Sequence, residues 1–306
     1  MKKILLTFSV VAFFTACDSA NKSISNENVV KSVNSSISSN SYTSDKISTS
    51  FQVDLVTNPA ELKAGESVKL TFFIKNPKGE LVKDLQVVHE KKMHVLIVSE
   101  DLQEFYHIHP QQDPDGKLEV SHVFPHGGSY RIFADFTPEG ASQVIEQKTV
   151  NVKGPERETA KLIPDEKLEK EVKDIKVILK VDKDKLTANR ELILGFDVLD
   201  LKSGKPVTNL EKYLGELAHF VVISEDLRDF VHVHPMSEDD PGMKRTDHKE
   251  HAGDDEHSHH HGADNEKTKA MVYAHLRFPK AGIYKLWAEF KREGKVITVP
   301  FVLKVN

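Results

Sequence analysis

Six histidines in two matching sets are the residues best placed to do chemistry in this 306-residue chain. His94, His107 and His109 return as His219, His232 and His234, each displaced by 125 residues, inside a repeated stretch running from Met93 to Pro110 and again from Ala218 to Pro235. Neutral imidazole is a good ligand for zinc, copper, nickel or iron, and three of them leave a coordination position open for water, a fourth ligand or a partner. A further set, His248, His251, His257, His259, His260 and His261, is interspersed with carboxylates between Asp247 and Gly262. Such a tract offers interchangeable N and O donors and binds several ions loosely.

The elements that must position the triplets are hairpins. Each repeat has an apolar run, a polar Ser-Glu-Asp-Leu turn and an alternating run that ends at proline. Pairing residues whose numbers sum to 203 sets Val98 against Phe105, Leu96 against His107 and His94 against His109, so the three imidazoles gather on one face at one end of the ladder. Val95, Ile97, Tyr106 and Ile108 take the other face, as do Phe220, Val222, Val231 and Val233 in the second copy. A packing role fits the same residues, with the histidines hydrogen-bonded to the turn carboxylates Asp101 and Asp226. The histidine-rich loop likewise fits a charged, tolerated surface insertion. His89, His122 and His126 read as structural or surface residues and His275 as a candidate fourth ligand. Met236, Met243 and Met271 are possible thioether donors, whereas Met93 alternates away from His94 toward the core.

Around the hairpins, short alternating runs punctuated by Gly, Pro and Asn predict an all-β chain of two tandem immunoglobulin-like antiparallel β-sandwiches. The first spans 51–153 and the second 175–306, joined by a charged linker over 154–174 with one helical turn expected near Glu166 to Val172. Phe124-Pro-His-Gly-Gly-Ser-Tyr130 matches Phe278-Pro-Lys-Ala-Gly-Ile-Tyr284 at a displacement of 154 rather than 125, which places a 29-residue insertion in the second copy, within 236–270.

Ahead of the sandwiches, Lys2, Lys3 and the apolar run Ile4 to Phe14 form a leader too short to span a bilayer, ending in Thr-Ala-Cys17. This resembles a bacterial lipoprotein signal over 1–16, with Cys17 as the lipidated residue; a secretory leader with an incidental cysteine is the competing reading. Cys17 is the only cysteine, so no disulfide forms within the chain. The Ser- and Asn-rich segment 17–50 reads as a disordered tether.

Phe-Pro-x-x-Gly-x-Tyr, the Leu-Lys-Ala-Gly-Glu turn and the Ser-Glu-Asp-Leu-x-x-Phe-x-His-x-His-Pro stretch resemble the secreted YtkA-like immunoglobulin-type domains of bacteria, which are linked with heavy-metal, particularly copper, handling. The resemblance implies the sandwich fold and ligand roles for both triplets. The expectation is a non-enzymatic lipoprotein of the cell envelope, lipid-anchored on the extracytoplasmic side, that buffers or delivers copper or zinc to a transfer partner. Ordinary imidazole titration would make binding weaken below about pH 6. The alternative is a surface adhesin or envelope scaffold whose tandem domains bind a host or envelope protein. A three-histidine metalloenzyme lacks a recognisable general base or nucleophile motif, and a net charge of −5 argues against nucleic acid as a partner.

Overall fold

The computed structural model describes residues 51–233, 235–236 and 271–306. Cys17, the leader and tether, His234, Met243 and the six loop histidines lie outside the described residues, and His232 is described by its backbone alone. Among the described residues the chain is built of strands, with one short 3-10 turn at Lys183–Lys185.

In the first sandwich one sheet runs Gln52–Asn58, Ser67–Lys75, Leu118–Val123, Gln111–Gln112. The other runs Leu62–Lys63, Val144–Lys153, Gly128–Phe136, Met93–Ser99, Phe105–Ile108. The second sandwich repeats the plan, with Gly282–Arg292 between Ala218–Ser224 and Lys295–Val305 in one sheet and Phe230–Val233 paired to the far side of Ala218–Ser224. Val53, Leu70, Phe72, Ile97 and Ile132 anchor the first core; Val177, Phe196, Phe220, Phe290 and Phe301 anchor the second. Met93 lies in the first core. The expected helical turn in the linker is instead a strand, Glu169–Val172, paired with Ile175–Lys180. Backbone hydrogen bonds to an adjacent strand override the weak helical preference of a four-residue charged segment.

The hairpin register agrees with the sequence expectation: Val95 faces Ile108, Leu96 faces His107 and Val98 faces Phe105. The turn has a side-chain cause. Ser99 Oγ donates to Asp101 at 2.7 Å and accepts from the Glu104 amide at 2.9 Å, while Leu102 takes a left-handed φ of 57°. Ser224, Asp226, Asp229 and Leu227 repeat this arrangement at 2.6 Å, 2.9 Å and φ 59°. The two aspartates serve the turns and not the histidines; Asp101 also pairs with Arg157, and Asp226 with Lys280. Ser99→Ala and Ser224→Ala each remove two part-buried hydrogen bonds, and each should cost roughly 1–2 kcal/mol in a denaturant titration. A loss of only a few tenths at both sites would assign the turn to the leucines.

The outward faces of the two hairpin sheets pack against each other. Leu96, Val98, Leu102 and Phe133 of the first sandwich meet Val221, Ile223, Leu227, Phe230 and Trp287 of the second in one apolar layer, which also buries Leu162 of the connecting segment. The contact is reciprocal. Phe105 stacks on Trp287 with centroids 4.6 Å apart, and its counterpart Phe230 stacks at 5.1 Å on Phe133, the counterpart of Trp287. Residue meeting residue in exchanged roles is the mark of two-fold packing, here within a single chain. Lys285 Nζ adds a 2.7 Å hydrogen bond from the second sandwich to the Leu102 carbonyl.

Candidate metal centre

The same outward faces carry the histidines, so the two-fold packing brings them together. His94 lies on Met93–Ser99 opposite Asp135, and His107 on Phe105–Ile108 opposite Leu96. His109 follows directly after that strand. His219 lies opposite Glu289, and the backbone of His232 lies opposite Val221, the register position that His107 holds in the first copy. His94, His219, Asp135 and Glu289 are buried.

The ligand atoms of His94, His107 and His109 all lie within 4.8 Å of one another and could hold a metal ion. His94 Nδ1 is 3.1 Å from His107 Nε2, which is 3.3 Å from His109 Nε2. A tetrahedral ion with bonds of 2.0–2.1 Å sets its nitrogens about 3.3–3.4 Å apart, close to these two spacings. The ring centroids of the three lie 5.3, 4.9 and 4.7 Å apart.

Two of the imidazoles are oriented from behind. A carbonyl only accepts, so the 3.0 Å contact of His94 Nε2 with the Val88 carbonyl fixes the proton on Nε2 and turns the Nδ1 lone pair inward. His107 Nδ1 meets Glu289 of the other sandwich at 2.6 Å. Carboxylate-backed histidine is the usual support of a metal ligand. Burial pushes the Glu289 carboxyl up to about 8. Near neutral pH without a metal, it therefore keeps its proton and donates to Nδ1, leaving a proton on Nε2 that is donated to His94 Nδ1. A cation at the convergence would replace that proton, Glu289 would ionise, and Nδ1–H would then donate to the carboxylate.

Burial also pushes His107 down to about 3 and His109 down to about 2, with His94 among the neighbouring rings that add to both shifts. Both rings are thus neutral well below pH 6. A loss of binding toward pH 6 therefore does not come from titration of these two rings, as it would for solvated imidazole.

The remaining histidines separate clearly. His275 is not a fourth ligand: it points outward from Met271–Arg277 to Glu191 at 3.0 Å, away from the paired hairpin sheets. His126 pairs with Glu104 at 2.7 Å, and His122 packs between Tyr106 and Phe124 with its titration lowered to about 4 by burial. Three participants escaped the sequence reading. His89 sits on a left-handed turn with its ring 5.3 Å from His219, and Leu214 stands at its position in the second copy. Asp135 and Glu289 stand in Phe-Ala-Asp-Phe and Trp-Ala-Glu-Phe, an acid retained across the repeat in alternation with core residues. That repetition was the available signal.

The fold and site define a tandem immunoglobulin-like protein with a histidine cluster buried between its two sandwiches. The chain belongs to the family described as Domain of unknown function (DUF8832), whose model matches residues 48–154 and 170–306. No curated protein matches it. Among solved structures it is similar to the FdeC adhesin of Escherichia coli, at 17% identity and a TM-score of 0.26 over 86% of this chain and 66% of that one. The Yersinia pseudotuberculosis adhesin InvE matches at 10% identity and 0.23, over 84% of this chain and 60% of InvE. The fibronectin(III)-like modules of Clostridium thermocellum CbhA match at 11% and 0.20, over 83% and 93%. The chain spans less than two thirds of the length of either adhesin, and the likeness is one of fold alone.

Proposed function

We propose that this is an extracytoplasmic metal-binding lipoprotein that buffers or delivers copper or zinc and catalyses no reaction. The observation that carries the reading is the convergence of three imidazole nitrogens, two of them oriented by the Val88 carbonyl and by Glu289. The lipoprotein-type leader with Cys17 and the YtkA-like motifs support an envelope location and copper handling; the histidine-rich loop would collect ions for the buried centre. An adhesin or scaffold role is the second reading, drawing on the tandem sandwiches.

Titration calorimetry of zinc and of copper into the chain from Asp18 tests the proposal. Tight binding at the His94, His107 and His109 position should be lost in His107→Ala and in His109→Ala while weak multi-ion binding persists. Equal affinity in the parent and both variants would sink the buried centre and put the scaffold reading ahead.

A further inference from the structure

The structure assigns a second cation position beside the first, so that the two sandwiches enclose one two-ion centre. This inference rests on the metal reading above and extends it to His219 and to His89.

The spacing of the rings carries the argument. Two imidazoles on one tetrahedral ion have centroids about 5.2 Å apart, since each centroid sits about 3.2 Å from the metal. His94, His107 and His109 meet that spacing among themselves, at 4.7–5.3 Å. His89 and His219 meet it as well, at 5.3 Å. Distances between the two groups are longer: His94 to His89 and His107 to His219 are both 6.3 Å. Five rings thus fall into a group of three and a group of two, at ligand spacing within each group and at longer spacing between His94 and His89 and between His107 and His219.

The two-fold packing supplies the rest of the second position. His219 Nε2 contacts the Leu214 carbonyl at 3.3 Å, as His94 Nε2 contacts that of Val88, so both rings carry the proton on Nε2 and direct Nδ1 inward. The backbone of His232 holds the register position of His107. Asp135 holds the place of Glu289, opposite His94 as Glu289 is opposite His219. Each sandwich therefore brings one buried carboxyl to the shared centre, matching one cation apiece. Each sandwich also contributes to the other's half, Glu289 reaching His107 and His89 reaching His219. The second position would take a borderline ion such as copper(II) or zinc through His219 and His89.

The test uses copper(II) chloride and the full chain with its six loop histidines changed to asparagine, which removes the loose sites. Copper retained after gel filtration should be about two per chain, with a half-field electron paramagnetic resonance signal from two neighbouring copper(II) ions. His219→Ala should reduce this to about one and abolish the half-field signal. His89→Asn should do the same; asparagine tolerates the left-handed turn, so this variant remains informative if loss of the buried His219 ring unfolds the chain. One ion per chain in the parent, unchanged in both variants, overturns the second position and leaves the first intact. No retained ion overturns both.

Discussion

Zinc affinity should rise about tenfold per pH unit between roughly pH 6 and 8, then level off, and Glu289→Gln should flatten that rise while lowering the plateau roughly 10–100-fold. The sign follows from which group gives up a proton when the ion enters. His107 and His109 are held neutral by burial down to about 3 and about 2, so their titration lies outside this window. Glu289, raised to about 8 by desolvation, is protonated in the metal-free chain and ionised opposite the cation. One proton is thus released per ion bound below about pH 8, and none above it. Glutamine removes that proton and with it the slope; it also removes the charge that strengthens His107 as a ligand. Stability of the metal-free chain should run the other way. A folded-state value raised above the unfolded one contributes stability present at low pH and lost as pH rises through about 8. Calorimetric titrations of both proteins at pH 6, 7, 8 and 9 decide the matter. A parent profile flat from 6 to 8, or a glutamine variant with an undiminished slope, would remove Glu289 from the centre.

The hairpins were legible because their physics is local. Alternation in the second strand of each hairpin marked the faces, the Ser-Glu-Asp-Leu turn marked the loop, and together these set the register pairing Leu96 with His107 that the structure shows. The meeting of the two faces was written in the sequence less plainly. Strands half-exposed to water alternate apolar and polar, whereas strands buried on both sides read as continuous apolar runs. Met93–Ser99 and Ala218–Ser224 are buried at every position, and His-Val-Leu-Ile-Val and His-Phe-Val-Val-Ile have no alternation. Leu96, Val98, Val221 and Ile223 are apolar residues on what a single-domain reading treats as an outer face, and they are the residues that bind the other sandwich. A centre divided between domains is hard to read from spacing, because Glu289 and His107 are 182 residues apart and meet only through that layer. The linker misled for a related reason: its charge suggested a free connector, yet Leu162 is buried in the layer and Glu169–Val172 adds a strand.

Trp287→Ala should cost about 3–5 kcal/mol and weaken zinc binding, although Trp287 is not one of the ligands. Its indole is 3% exposed and stacks on Phe105 at 4.6 Å with an interplanar angle of 15°, so its removal empties the middle of the layer between the sandwiches. Each sandwich keeps its own core, and the loss therefore falls on their mutual contact. Unfolding followed by calorimetry should change from one transition to two as the sandwiches uncouple. Glu289 lies two residues further along the same strand on the same face, so a layer that loosens at Trp287 also loosens the 2.6 Å contact with His107. Phe133→Ala, at the reciprocal position against Phe230, should weaken the layer in the same way from the other side. Ile132→Ala provides the contrast: it removes a comparable apolar contact inside the first core, and should destabilise that sandwich without splitting the pair. If Trp287→Ala melts in one transition with zinc affinity unchanged, the layer is not what holds the centre together. In that case the first sandwich must position its three histidines alone.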